Sequence, residues 1–201
     1  MRLVNKPMKR LSLYLFLIFF TLQTPSQADD IRDFQIEGMS VGDSLLGYFS
    51  EEKITNSNRY YSYLDNEFYA VGFDYENSFE VYNTVEIHLK TDDKKYKIFM
   101  IRGMLDYVED LEGCLKKQKE IANEIEKILT QYEKTEKSAI SKIDPSGKSK
   151  YYYIKYYWKN GDDLVVQCND WDEEIRKKND WTEGLSVAIS TKEFNDWISD
   201  Y

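Results

Sequence analysis

Histidine, cysteine and proline are scarce in this chain of 201 residues, which has one His, two Cys and three Pro. A structural zinc site needs about four Cys or His ligands, so zinc is excluded. Nucleophilic catalysis with an imidazole base would have to use His88, and no G-x-S-x-G turn accompanies it. Alternation places His88 opposite Ile87 and Leu89, beside Glu86 and Lys90, which predicts a surface residue. Neither a phosphate-cradling glycine loop nor a dinucleotide fingerprint occurs. No catalytic residue and no cofactor is assigned. Proline-rich linkers, internal repeats and low-complexity tracts are also missing.

Long apolar runs are equally few. The one present, Leu11 to Leu22, follows Lys6, Lys9 and Arg10 and precedes Ser26-Gln27-Ala28. A basic segment, a short apolar core and small residues before a cut form a Sec-type secretory signal over residues 1–28. The run is shorter than the roughly 20 residues a membrane-spanning helix needs. The expected location is therefore bacterial periplasmic or secreted, with no stable membrane insertion after cleavage. Residues 1–28 hold four basic residues and no acid, so their removal takes the formal net charge from −9 to −13. That charge argues against nucleic acid as a partner.

In an oxidising compartment two cysteines read as a disulfide, here Cys114 with Cys168. The acids Asp170, Asp172, Glu173 and Glu174 cluster without the spacing or central glycine of an EF-hand loop. They read as a solvated loop, and no metal site is assigned.

The elements follow from periodicity. An extended stretch at 31–36 leads to Gly38-Met39-Ser40. Ser40 with Asp43 has the form of a capping box, and Val41, Leu45 and Phe49 continue at helical spacing, predicting a helix at 41–49. A turn or second short helix is expected around 50–54. Between residues 59 and 107 the period becomes two: Phe79, Val81, Val85, Ile87 and Leu89 alternate with polar residues. With 68–75 before and 96–100 after, this predicts a three-stranded antiparallel meander. Val108, Leu111, Leu115, Ile121, Ile125, Ile128, Leu129 and Tyr132 form one helical stripe, predicting a long helix over 108–136.

Asp144-Pro145-Ser146-Gly147 makes a turn. Strands at 151–158 and 164–168 flank Asn160-Gly161, a hairpin signal. A third strand spans Leu185, Val187 and Ile189, and Ser190 caps a last short helix. The fold class is α+β: two three-stranded antiparallel sheets or one mixed larger sheet, packed with one long and two short helices. Residues 29–201 are expected to form a single domain, with 29–107 and 108–201 as the alternative subdivision.

Residues 36–46, IEGMSVGDSLL, resemble the opening of an uncharacterised family of small exported bacterial proteins. That family shares a Cys early in a long helix, matched by Cys114. It also shares a Cys beside Asp-Trp, matched by Cys168 with Asp170 and Trp171. The Gly38-Met39-Ser40 turn into Leu45-Leu46-Gly47 is also similar to the start of SmpA/OmlA-type (BamE-like) lipoproteins. That resemblance implies an outer-membrane assembly accessory, although the lipobox cysteine is missing. Neither resemblance carries a functional residue.

What the chain has in excess is tyrosine, seventeen in all. On the strand at 151–159 one face is Tyr152, Ile154, Tyr156 and Trp158. The other is Tyr151, Tyr153, Lys155, Tyr157 and Lys159. Tyrosine rings pack while their hydroxyls stay wet, which suits contact with a sugar or a protein. The candidate contact residues are Tyr151, Tyr153, Tyr157, Tyr60 and Tyr61. The expected function is non-enzymatic binding of a protein or glycan ligand in the cell envelope. A carboxylate-dependent glycan hydrolase and an assembly accessory are the alternatives.

Overall fold

The computed structural model describes residues 30–62, 66–76, 78–179 and 181–200, with the backbone alone at 58–62. The signal segment, Tyr63 and Asn77 lie outside the described residues. Among the described residues eight strands form one antiparallel sheet: β1 (Asn58–Ser62), β2 (Phe68–Asp74), β3 (Thr84–Lys90), β4 (Met100–Asp106), β5 (Glu133–Ile140), β6 (Lys150–Tyr157), β7 (Asp163–Asp170) and β8 (Gly184–Ser190). Their order is β1-β2-β3-β4-β8-β7-β6-β5.

The expected pair of three-stranded sheets, or one mixed sheet, is thereby corrected. The last strand, β8, pairs antiparallel with β4 on one side and β7 on the other. It joins two meanders far apart in sequence into one surface. Hydrophobic alternation identifies a strand but not its two neighbours, so this pairing leaves no local signal. β5 extends the sheet at its edge. Its sequence, EKTEKSAI, is almost entirely polar and exposed, as suits an edge strand that must resist further pairing.

Among the described residues four α-helices accompany the sheet: α1 (Glu51–Asn56), α2 (Leu111–Ile128), α3 (Glu173–Asn179) and α4 (Lys192–Ser199). The predicted helix at 41–49 shrinks to a 3-10 turn, Leu45–Gly47. Ser40 N–H does donate to Asp43 at 3.0 Å, but the Ser40 hydroxyl donates to the Arg32 and Phe34 carbonyls instead of capping. Gly42 then adopts φ +92°, and Ser44 bridges to Lys97. Residues 31–33, expected extended, form a 3-10 turn capped by Asp30. Residues 79–83 are not strand. Their amides at 80, 81 and 82 all donate to the Glu37 carboxylate.

The long helix is shorter than predicted. Asp110 caps it at Gly113 N–H, and Leu129 is already extended at ψ 138°. Tyr132, counted on the helical stripe, instead packs edge-on against Tyr156. The helix buries Cys114, Gln118, Ala122 and Ile125. Gln118 lies between apolar neighbours because its amide donates to the carbonyls of Tyr152 and Val166, at 2.7 and 2.8 Å. One turn earlier, Cys114 and Cys168 are paired as a disulfide with Cα atoms 6.0 Å apart. The helix is therefore fixed to β6 and β7 by a covalent bond and two hydrogen bonds.

One sheet face carries the main core. Val71, Ile87, Ile101, Ile189, Leu164 and Tyr156 lie in one cross-strand row beneath α2 and the segment 31–54. On the opposite face, α4 covers only a corner, where Phe194 meets Phe68, Phe99, Met100 and Ala188. Thr191, one residue after the predicted Ser190, caps this helix. Among the described residues no helix is long and apolar enough to cross a membrane.

A candidate ligand cleft on the open sheet face

The face away from α2 is built by the alternate residues of the same strands. β8 contributes Gly184, Ser186, Ala188 and Ser190 to it, all small. The register sets them between Met100, Arg102 and Met104 on β4 and Asp163, Val165 and Gln167 on β7. Small residues between long ones make a trough down the middle of the sheet. Phe194, Asn195 and Ile198 of α4 line one end of it, and the cleft measures about 200 Å³.

Three ionisable groups on this face are buried almost completely: Glu86, His88 and Asp163 are 3%, 2% and 3% exposed. Glu86 Oε1 accepts from Arg102 Nη1 at 3.1 Å and from His88 Nε2 at 3.0 Å. Asp163 holds Lys155 Nζ at 2.6 Å. Burial raises the Glu86 carboxyl, but the charge of Arg102 and the hydrogen bond from His88 outweigh it and hold the group below its ordinary value. Burial lowers His88 against the opposing pull of Glu86, so the ring is neutral and its Nε2 carries the proton. Burial likewise pushes Asp163 up, with Lys155 acting against it.

The expectation that His88 is a surface residue is corrected. Alternation gave its face, but α4 packs over it, with the Phe194 ring 4.7 Å away. Helix packing at long sequence range is invisible to local periodicity.

Two cations thus project over the trough, each tied to a buried acid. Arg102 (β4) and Lys155 (β6) stand in one cross-strand row, with Ala188 and Val165 between them. Arg102 is about one third exposed, at 35%, and among the described residues its only side-chain hydrogen bond is the one to Glu86. Ser186 on the floor is 4% exposed, and its hydroxyl has no hydrogen-bond partner among the described residues.

The predicted contact tyrosines divide. Tyr151, Tyr153 and Tyr157 do lie on the open face, on β6. Tyr151 is committed to packing: its hydroxyl meets Ser141 at 2.7 Å and its ring stands edge-on to Trp171. Tyr153 lies beside Gln167 in the row that contains Ser186. Tyr157 is exposed, with the Lys155 ammonium 4.7 Å over its ring. Tyr60 and Tyr61 fall on β1, with five strands between it and β6. At about 4.8 Å per strand that is roughly 29 Å, so the five residues do not form one site.

Sequence reasoning passed over Arg102, Glu86, Asp163, Lys155 and Ser186 as site residues. A signal existed in β8, whose residues alternate between small and branched aliphatic, as Gly-Leu-Ser-Val-Ala-Ile-Ser.

The acidic cluster at 170–174 is engaged in local structure. Asp172 accepts from Glu174 N–H at the start of α3 and pairs with Lys148 at 3.2 Å. A second depression, about 170 Å³, lies beside the disulfide and includes Glu109, Asp170 and Glu183. Arg176 faces two of these acids, and Glu183 accepts from Glu109 N–H. Among the described residues no group of acids, His or Cys is arranged to hold a metal ion. No known protein family, curated protein or solved structure matches this chain.

Proposed function

We propose that this chain is an exported, non-enzymatic binding protein whose ligand sits on the open face of the sheet. The observation that carries the reading is the trough over β8. A floor of small residues, including Ser186, whose hydroxyl has no hydrogen-bond partner among the described residues, runs between long side chains on the face opposite α2, where α4 covers one corner. Small residues on a central strand forgo apolar burial, which adds nothing to the stability of the fold. They do make room for another molecule. Export is supported by the tripartite character of residues 1–28 and by the oxidised cysteine pair.

The test is a thermal-shift panel of glycan fragments, short peptides and small organic acids. It compares the wild type with Ser186→Val, whose side chain occupies the floor. A ligand that raises the wild-type midpoint and has no effect on the variant supports the reading. Ligands that act equally on both proteins place binding elsewhere and overturn it.

A further inference from the structure

Burying a carboxylate costs several kcal/mol, and a buried ion pair seldom repays that cost as well as an apolar pair would. On this face the sheet buries Glu86 and Asp163, and each carboxylate holds one cation at the wall of the trough. A long cationic side chain loses much rotamer freedom when it is held in one place. The two acids therefore set Arg102 and Lys155 in position before any ligand arrives, which lowers the entropy cost of binding. Resting on the reading of the open face as the ligand surface, we infer that the trough binds a small organic carboxylate, its anionic group on the Arg102 N–H groups that Glu86 leaves free and its tail toward the Lys155 side of the trough.

The chemistry of the lining matches each part of such a ligand. The Arg102 N–H groups not used by Glu86 present the planar donor geometry that a carboxylate accepts. Ser186 supplies a hydroxyl donor on the floor. Val165, Ala188 and Ile198 offer an apolar wall for a short carbon tail. The volume sets the size. An enclosed cavity of about 150 Å³ accepts a benzene-sized molecule. The cleft here is about 200 Å³ and open on one side, which suits a short-chain acid better than a polymer.

The experiment is an amide NMR titration of the purified exported protein with pentanoate, its neutral isostere pentanamide, and inorganic phosphate. Pentanoate should give saturable shifts confined to residues 100–104, 153–157, 163–167, 184–190 and 194–198. Pentanamide should bind at least about tenfold more weakly. Arg102→Met should weaken pentanoate by a similar factor and leave pentanamide unchanged. Ser186→Val, which leaves both ion pairs in place, should abolish binding of both and serves if Arg102→Met fails to fold. Equal affinity for pentanoate and pentanamide, shifts outside the trough, or phosphate binding as tightly as pentanoate would overturn the inference. A neutral ligand that occupies the trough where pentanoate does not would also overturn it, while leaving the binding-protein reading intact.

Discussion

Leu164 and Val165 are adjacent in β7 and belong to different structures. Leu164 points beneath α2, into a row of isoleucines and a tyrosine with almost no exposure. Val165 points the other way, to the trough between Arg102 and Lys155. The same alternation runs along β3, where Ile87 lies in the aliphatic core and Glu86 and His88 lie in a polar cluster. One face gains its stability from apolar area removed from water, at roughly 25 cal/mol per Å². The other buries charge and keeps small residues where large apolar ones would stabilise more. The two faces differ because one has to hold the chain together and the other does not.

The largest expected effect is on the covalent anchor of the α2 face. The disulfide spans a sequence separation of 54, and closing such a loop is worth about 4 kcal/mol in the chain-entropy account. Urea unfolding of Cys114→Ala/Cys168→Ala should show a loss of that order. A loss below about 1 kcal/mol would mean that α2 is held by packing alone. Next in size is Leu164→Ala, which should cost about 3 kcal/mol as a buried truncation. Val165→Ala, its neighbour, should cost under about 1 kcal/mol. Equal costs at the two positions would remove the distinction between the faces.

The polar cluster should appear as pH dependence. His88 is held below its ordinary value of 6.5, so on acidification the unfolded chain takes up the proton first. The contribution of His88 is therefore complete above about pH 6.5 and falls as pH drops below it. Glu86, held below 4.5, adds a loss at lower pH still. In His88→Gln, which keeps a donor for Glu86, the decline in unfolding midpoint between pH 7 and pH 5 should flatten. An unchanged slope would assign the dependence to another group. The smallest effect belongs to the exposed pair of Lys192 and Asp196 on α4. Lys192→Ala should change stability by no more than about 0.5 kcal/mol.

The sequence revealed this fold unevenly, for physical reasons. Strands with one aliphatic face and one polar or small-residue face, such as β3 and β8, appear in the period-two alternation of their residues, although both faces are buried. The edge strand β5 has no buried face and carries no pattern, and the helical stripe continues through Leu129 to Tyr132, past the true end of α2. The merger of two meanders through β8 depends on pairing between distant strands. The site was hidden for the same reason. Glu86, Arg102, Lys155 and Asp163 come from four strands, and only the register brings them to one trough. The tyrosines of β6 were visible as a repeat, and structure shows Tyr151 used for packing.

The two-face account is tested most directly by titrating pentanoate into Leu164→Ala and Ser186→Val while following the thermal midpoint of each. Leu164→Ala should melt well below the wild type and bind with unchanged affinity. Ser186→Val should melt near the wild type and fail to bind. Loss of binding in Leu164→Ala with retained binding in Ser186→Val would contradict the account.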